Sequence, residues 1–180
     1  FKKYYNYPIL IGKVNNHLTE LNHVIESNCT IDFIDRSSNI GSAVNANSLQ
    51  FLMILATKKI LGYETEVIIE NSLDNGAYCE IQGAKLDKPI LKKIEEKMKE
   101  IINLDLKYTK VSVARLDAIE FYKRKKRLDK VNMLKYLSNS FVNLYRLDDV
   151  YDYFFTEMAP NTKSLSDFKL TYIKNNGFVI

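Results

Sequence analysis

The sequence is poor in the residues on which several common chemistries depend. Its 180 residues include six Gly, two Cys, two His and no Trp. Neither of the glycine-rich phosphate-binding patterns, Gly-x-x-x-x-Gly-Lys-Ser/Thr and Gly-x-Gly-x-x-Gly, occurs, and a Gly-x-Ser-x-Gly nucleophile turn is absent too. With so few glycines, no phosphate cradle is expected within this chain.

Thiols and long apolar runs are also scarce. Cys29 and Cys79 lie far apart, and no secretory signal precedes them, so both are predicted to be reduced thiols of a cytoplasmic protein. No apolar run approaches the 18 residues that a membrane-spanning helix needs, so no membrane partner is expected.

Charge is the one modest excess. Lys and Arg number 26 against 22 Asp and Glu, which gives a net charge of +4. That balance suits an anionic partner but falls short of a dedicated nucleic-acid binder. The hydrophobic fraction of 46% is enough for a real core, and the length indicates one domain or one domain plus a fragment.

The strongest local pattern is a helix followed by a hairpin. Apolar residues recur at three- and four-residue steps from Val44 to Leu61, which predicts a long helix, and Gly62 is placed to end it. Two β-branched and aromatic runs within 65–81 then flank Asp74-Asn75-Gly76, and an Asn-Gly pair between such runs predicts a tight hairpin. The fold class predicted from this pattern is α+β.

The remaining segments are assigned by the same periodicities. Three short strands are expected within residues 1–35, with too little apolar cover to fold alone, and a Ser- and Asn-rich loop at 35–42 marks a boundary. Helices are predicted at 89–104, 115–127 and 129–137, and strands at 108–113, 141–145, 151–155 and 167–174, with a last hairpin at 175–177.

Three clusters of polar residues raise functional hypotheses. His17, His23 and Cys29 match no common zinc spacing, so surface or half-buried positions are favoured over a metal site. The acids Asp148, Asp149 and Asp152 are favoured as turn-forming residues rather than Mg²⁺ ligands. A basic run favours the solvated end of a helix, with RNA or nucleotide phosphate contact as the alternative and Tyr122 and Tyr136 as permissive stacking neighbours: Lys123, Arg124, Lys125, Lys126, Arg127.

Several stretches in a shared order carry a family resemblance: 47–52, 70–81, 129–136, 142–146, 152–154 and 158–162. Together they resemble the second additional domain shared by threonyl- and alanyl-tRNA synthetases, in the version found in bacterial uridine-kinase-like nucleoside kinases. Residues 7–35 resemble the last half of the small ubiquitin-like TGS domain that precedes it. The resemblance implies a long central helix on a mixed or antiparallel sheet in residues 36–180, an editing-domain-like fold, preceded by a partial β-rich segment in 1–35.

In those kinases a P-loop kinase domain follows. The resemblance therefore implies such a domain after residue 180, as a partner of this region, and both ends of the sequence look like cuts through a longer polypeptide. ATP and Mg²⁺ are expected for that domain, and no cofactor is expected for this region itself.

The synthetases carry an editing site on a His-x-x-x-His pair and a Cys-x-x-x-His pair. Counting along the matched stretches places these four positions at Asn47, Phe51, Phe154 and Met158. None is a usual zinc ligand, so the resemblance implies a metal-free, partly apolar cleft. Asn75, Tyr78 and Glu80 of the predicted hairpin are expected to complete it.

The main hypothesis is a non-catalytic accessory region of a uridine kinase, whose degenerate cleft binds a ligand or RNA or organises domains. The alternative is an editing-type hydrolase of mischarged tRNA, or a tRNA-binding module, related to threonyl-tRNA synthetase. If the chain is an RNA-binding module, we expect it to bind RNA in a salt-dependent way through residues 123–127.

Overall fold

The computed structural model describes residues 4–73 and 76–180, and its strand pairs are antiparallel throughout that part of the chain. The chain divides into two units, a larger one formed by residues up to Lys107 and from Thr156 onward, and a smaller one formed by Tyr108–Phe155. No helix in the described ranges is long and apolar enough to cross a membrane.

Within the described residues, the larger unit contains two sheets and two α-helices. A three-stranded sheet has the order β2-β1-β3, and a four-stranded sheet has the order β4-β5-β10-β9. The helices are α1, Asn39–Leu61, and α2, Lys88–Asn103, which pack against each other. The strands are β1 Ile9–Val14, β2 His17–Thr19, β3 Ile31–Asp35, β4 Glu66–Leu73, β5 Gly76–Gln82, β9 Thr171–Tyr172 and β10 Gly177–Val179.

Helix α1 organises this unit, as the sequence predicts, but it begins earlier than expected. The loop predicted at 35–42 is wrong beyond Ser38, because Ser38 is the N-cap and its hydroxyl accepts a hydrogen bond from the Gly41 N–H at 3.1 Å. The Ser- and Asn-rich composition that suggested a linker is a capping sequence. Gly62 ends the helix as predicted, with φ of 100° and its N–H donated to Lys58 O.

The Asp35 carboxylate fixes the junction between β3 and α1. Its oxygen accepts hydrogen bonds from the Ser37 N–H at 2.9 Å and from the Ser37 hydroxyl at 2.5 Å. These bonds lower the pKa of Asp35 below its ordinary value. Helix α1 packs against β1 and β3 and so supplies the apolar cover that the sequence analysis did not find for these strands.

A domain boundary after residue 35 stays a prediction.

A second hairpin closes the four-stranded sheet. Asn175 and Asn176 have φ of 49° and 64°, as a tight turn requires, and β10 pairs with both β9 and β5. The strand predicted at 167–174 is confirmed only at Thr171–Tyr172, because the Leu170 N–H donates to a Glu95 carboxylate oxygen at 3.0 Å instead of to a strand. The predicted turn at 74–75 lies outside the described residues.

The smaller unit places two helices on a three-stranded sheet of order β6-β7-β8. Its core joins residues of both helices and of β7, including Ala118, Tyr122, Val131, Leu134 and Leu144. The elements are β6 Thr109–Ala114, α3 Arg115–Arg124, α4 Leu128–Lys135, β7 Phe141–Leu147 and β8 Val150–Asp152.

Asp152 explains why β8 is shorter than predicted. Its carboxylate accepts hydrogen bonds from the Tyr122 hydroxyl at 2.9 Å and from the Tyr153 N–H at 2.7 Å, while Lys130 Nζ donates to Tyr153 O at 2.7 Å. The backbone after Asp152 therefore bonds to side chains rather than to a strand. Burial raises the pKa of Tyr122, so its hydroxyl stays a hydrogen-bond donor.

Candidate functional site

Helix α1 is joined by hydrogen bonds to the segment at 156–159. Asn47 Nδ2 donates to Thr156 Oγ1 at 2.5 Å. Ser48 is fully buried, and its hydroxyl donates to Val44 O at 2.7 Å and accepts from the Ala159 N–H at 2.9 Å. The N-terminal half of the helix is thereby tied to the segment that holds Met158.

Two of the three apolar residues predicted for the cleft, Phe51 and Met158, are buried in the core. Phe51 is 0% exposed and Met158 is 1% exposed, and the Met158 sulfur lies 3.4 Å from Ser48 Oγ. Three of the four positions matched to the synthetase ligands thus belong to the larger unit, with Asn47 half-buried at the surface. Phe154 belongs to the smaller unit, where Lys130 Nζ lies 5.5 Å from its ring centroid.

The hairpin residues predicted for the cleft share one face of β5. Tyr78 and Glu80 are half-buried and alternate with the buried Ala77 and Cys79. The Tyr78 ring covers Gly177 of β10, where a Cβ atom would lie 2.2 Å from the tyrosine oxygen. Tyr78 and Glu80 therefore lie on the face opposite to Cys79, and Asn75 lies outside the described residues.

The described ranges, 4–73 and 76–180, contain no group of three His, Cys, Asp or Glu side chains that could hold a metal ion. Neither of the two clusters considered from the sequence forms such a group in these ranges: His17, His23 and Cys29, or Asp148, Asp149 and Asp152. Asp152 instead belongs to the network of Tyr122 and Lys130, whose Nζ lies 3.5 Å from its carboxylate.

Cys79 is an inert thiol in the folded chain. It is fully buried, and burial raises its pKa to about 12. At pH 8 we expect Cys29, which is half-buried, to react with Ellman's reagent in the native chain, and Cys79 to react at least ~100-fold more slowly, since only a thiolate attacks. A Cys29→Ser variant isolates the Cys79 signal, which should appear on denaturation. Rapid native labelling of that variant would contradict the burial.

The basic run predicted at 123–127 divides into structural and free cations. Arg127 is 6% exposed and pairs with Asp129 at 2.7 Å, and Lys123 pairs with Glu120 at 2.6 Å. Lys125 lies over the Phe121 ring. The exposed Arg124 and Lys126 have no ion-pair partner in the described part of the chain. The helix predicted to reach residue 127 ends at Arg124, so the run extends past the end of α3, and the prediction of a solvated helix end is wrong for the buried Arg127.

An open groove of about 660 Å³ lies beside the first half of α1 and was not foreseen. Asn45 and Gln50 line it from the helix, and residues 166–169 line it from the other side. Asn45 holds that wall through two hydrogen bonds, from its Nδ2 to Ser166 Oγ at 2.8 Å and from the Ser166 N–H to its Oδ1 at 3.1 Å. The sequence analysis missed this groove because it predicted residues 167–170 to be part of a strand rather than a groove wall.

Curated relatives with significant similarity are threonine–tRNA ligases. Those of Sulfurihydrogenibium sp. and Citrifermentans bemidjiense are each 29% identical, over 88% and 91% of this chain. That of Clostridioides difficile is 27% identical over 90% of this chain. The chain spans about a quarter of the length of these relatives, 26% in each case. No family model matches the chain.

These relatives confirm the part of the resemblance that concerns threonyl-tRNA synthetases. The fold is α+β, with a long central helix and antiparallel sheets, and it fits the editing-domain-like fold that the resemblance implied. A uridine-kinase parent finds no support among these relatives and stays a prediction, together with its ATP and Mg²⁺.

Proposed function

We propose that this chain is a tRNA-binding module related to the threonyl-tRNA synthetases, in which a packed contact replaces the metal of the editing site. The observation that carries the proposal is the closed junction between α1 and the segment at 156–159. The Asn47–Thr156 and Ser48–Ala159 hydrogen bonds join the two segments that hold Asn47, Phe51 and Met158, and both Phe51 and Met158 are buried in the core.

The residues at the four matched positions favour RNA binding over catalysis. An amide, two aromatic rings and a thioether at the four matched positions supply neither a ligand set nor a strong base, whereas RNA binding needs only cations and hydrogen-bond donors. In this proposal Asn47 with Tyr78 and Glu80 are the polar residues at the former cleft. Arg124 and Lys126 contact phosphates, and Arg127 supports them by fixing the turn between α3 and α4.

The test is a gel-shift titration of the chain with unmodified tRNA at several salt concentrations. The double variant Arg124→Gln/Lys126→Gln should lower the slope of log K against log salt by about 1 to 2, because each phosphate contact releases about one counterion. The matched control is Lys92→Gln/Lys93→Gln, which removes two exposed charges from α2 and should leave the slope unchanged. Equal slopes for all three chains, or no tRNA binding, would contradict the proposal.

An editing-type hydrolase is the second candidate, favoured by the polar Asn47–Thr156 pair at the matched position. It predicts that the chain accelerates deacylation of a mischarged tRNA and that Asn47→Ala abolishes the acceleration. The binding module predicts tRNA protection or no change in the deacylation rate, with or without added Zn²⁺. The same tRNA preparation serves both assays.

A further inference from the structure

The positive charge of the chain is concentrated in its smaller unit. Residues 108–155 contain ten Lys and Arg and six Asp and Glu, a net charge of +4. The whole chain has 26 and 22, so the remaining residues carry sixteen of each and are neutral overall. The smaller unit is therefore the part of the chain that attracts a polyanion such as RNA.

The loop between α4 and β7 is bounded by two exposed aromatic residues. Tyr136, the C-cap residue of α4, is 91% exposed, and Phe141, the first residue of β7, is 64% exposed. Tyr122, the other tyrosine considered for stacking, is buried at 1%. The two exposed rings flank an uncharged loop, Leu137-Ser-Asn-Ser140.

Arg115 ties this loop to the start of α3. Its N–H donates to Ser140 O at 2.9 Å and its Nε donates to Asn139 O at 3.0 Å. Ala114 lies opposite Phe141 in the β6–β7 register. Arg115 follows Ala114 directly, so its backbone lies close to Phe141. Lys135 ends α4 next to Tyr136. We call Arg115, Lys135, Tyr136 and Phe141 the aromatic platform.

We propose that the aromatic platform binds unpaired nucleotides of an RNA, with bases stacked on Tyr136 and Phe141 and phosphates held by Arg115 and Lys135. The inference rests on the proposed tRNA-binding function and names the surface and the form of RNA that it takes. Aromatic rings beside cations are the combination that recognises single strands, because every base has a flat face and every nucleotide a phosphate. Duplex RNA buries its bases and leaves the rings without a partner.

The charge favours RNA over an apolar protein partner. Within the described residues, the acidic side chain nearest in sequence to the platform is Asp117, in the first turn of α3, and the loop from Tyr136 to Phe141 has no charged residue. Stacking without base-edge hydrogen bonds also predicts little dependence on base sequence.

The experiment is fluorescence anisotropy of a labelled ten-nucleotide oligouridine and of a duplex RNA of equal length, using the 180-residue chain. Tyr136→Ala and Phe141→Ala should each weaken oligouridine binding about 10-fold, the loss of one stacked base. Tyr136→Phe should bind like the unmodified chain, since the ring is kept. Tyr4→Ala, which removes a tyrosine that is 87% exposed in the larger unit, is the matched control and should change nothing.

Lys135→Gln should lower the salt slope for oligouridine by about 1, while Tyr136→Ala should leave the slope unchanged. Unchanged oligouridine affinity in both alanine variants, or weakening by Tyr136→Phe equal to that by Tyr136→Ala, would overturn the platform. If tRNA binds through Arg124 and Lys126 while oligouridine does not bind, the platform alone fails. If oligouridine binds and tRNA does not, the proposed function fails and the platform stands. Circular dichroism melts of every variant separate lost binding from lost folding.

Discussion

Replacing Gly41 by alanine is expected to destabilise the chain by about 3 kcal/mol, although alanine is the better helix former. A Cβ atom at Gly41 would lie 1.8 Å from the carbonyl oxygen of Asp35 and 2.5 Å from its carbon. Both are backbone atoms of the junction that Ser37 and Ser38 hold by hydrogen bonds. Because the added Cβ would clash with backbone atoms and not with a flexible side chain, the start of α1 has to move to relieve the clash.

Chemical denaturation followed by circular dichroism measures the effect, since the chain has no tryptophan. The control is Gly12→Ala in β1, where the nearest atom to the added Cβ would be Thr19 O at 3.4 Å, an ordinary contact. We expect Gly12→Ala to unfold within about 1 kcal/mol of the unmodified chain. A Gly41→Ala chain as stable as the Gly12→Ala chain would show that the junction is not rigid.

The second large effect is expected at Lys58, a cation buried under the end of α1. Lys58 is 2% exposed, and its Nζ donates to Tyr63 O at 3.2 Å, to Thr65 O at 2.5 Å and to the Glu66 carboxylate at 2.8 Å. Lys58→Met keeps the alkyl chain and removes all three bonds. Because Glu66 is only 16% exposed, its charge loses this buried partner, and we expect a loss of about 3 kcal/mol.

Glu66→Gln is the companion variant. It leaves Lys58 with its two carbonyl acceptors, so the loss should be smaller, about 1 kcal/mol. Lys92→Met removes a lysine that is 78% exposed on α2 and should leave the denaturation midpoint unchanged. If Lys58→Met proved as harmless as Lys92→Met, the three hydrogen bonds would contribute nothing net to folding.

Local signals explain what the sequence predicted well. Asp87 caps α2 through a hydrogen bond from the Ile90 N–H at 2.8 Å, with Pro89 in the first turn as expected. On the same helix, Glu95 and Lys99 are four residues apart and form an ion pair at 2.7 Å, as that spacing favours. The turn at Asn175 and Asn176 is also set by nearby residues, because asparagine tolerates positive φ.

The features that escaped prediction depend on distant partners. Ser38 reads as part of a linker until Gly41 is seen to donate to it. Arg127 reads as one more exposed cation, yet burial and Asp129 make it structural. At the candidate site, the sequence placed Asn47, Phe51 and Met158 by resemblance, but their burial and the Ser48–Ala159 bond required the tertiary structure.

The β5–β10 pairing has a consequence for the order of folding. Cys79 pairs with Phe178, so about 100 residues, including the whole smaller unit, separate two neighbouring strands. Asn176 seals this pairing, since its side chain accepts from the Leu86 N–H and donates to Ala84 O. The smaller unit forms from contiguous residues and can close early, whereas the edge of β5 stays open until 177–179 arrive. Refolding should therefore show a fast step from the smaller unit and a slower one from the larger sheet, during which the bare β5 edge is the place where chains aggregate.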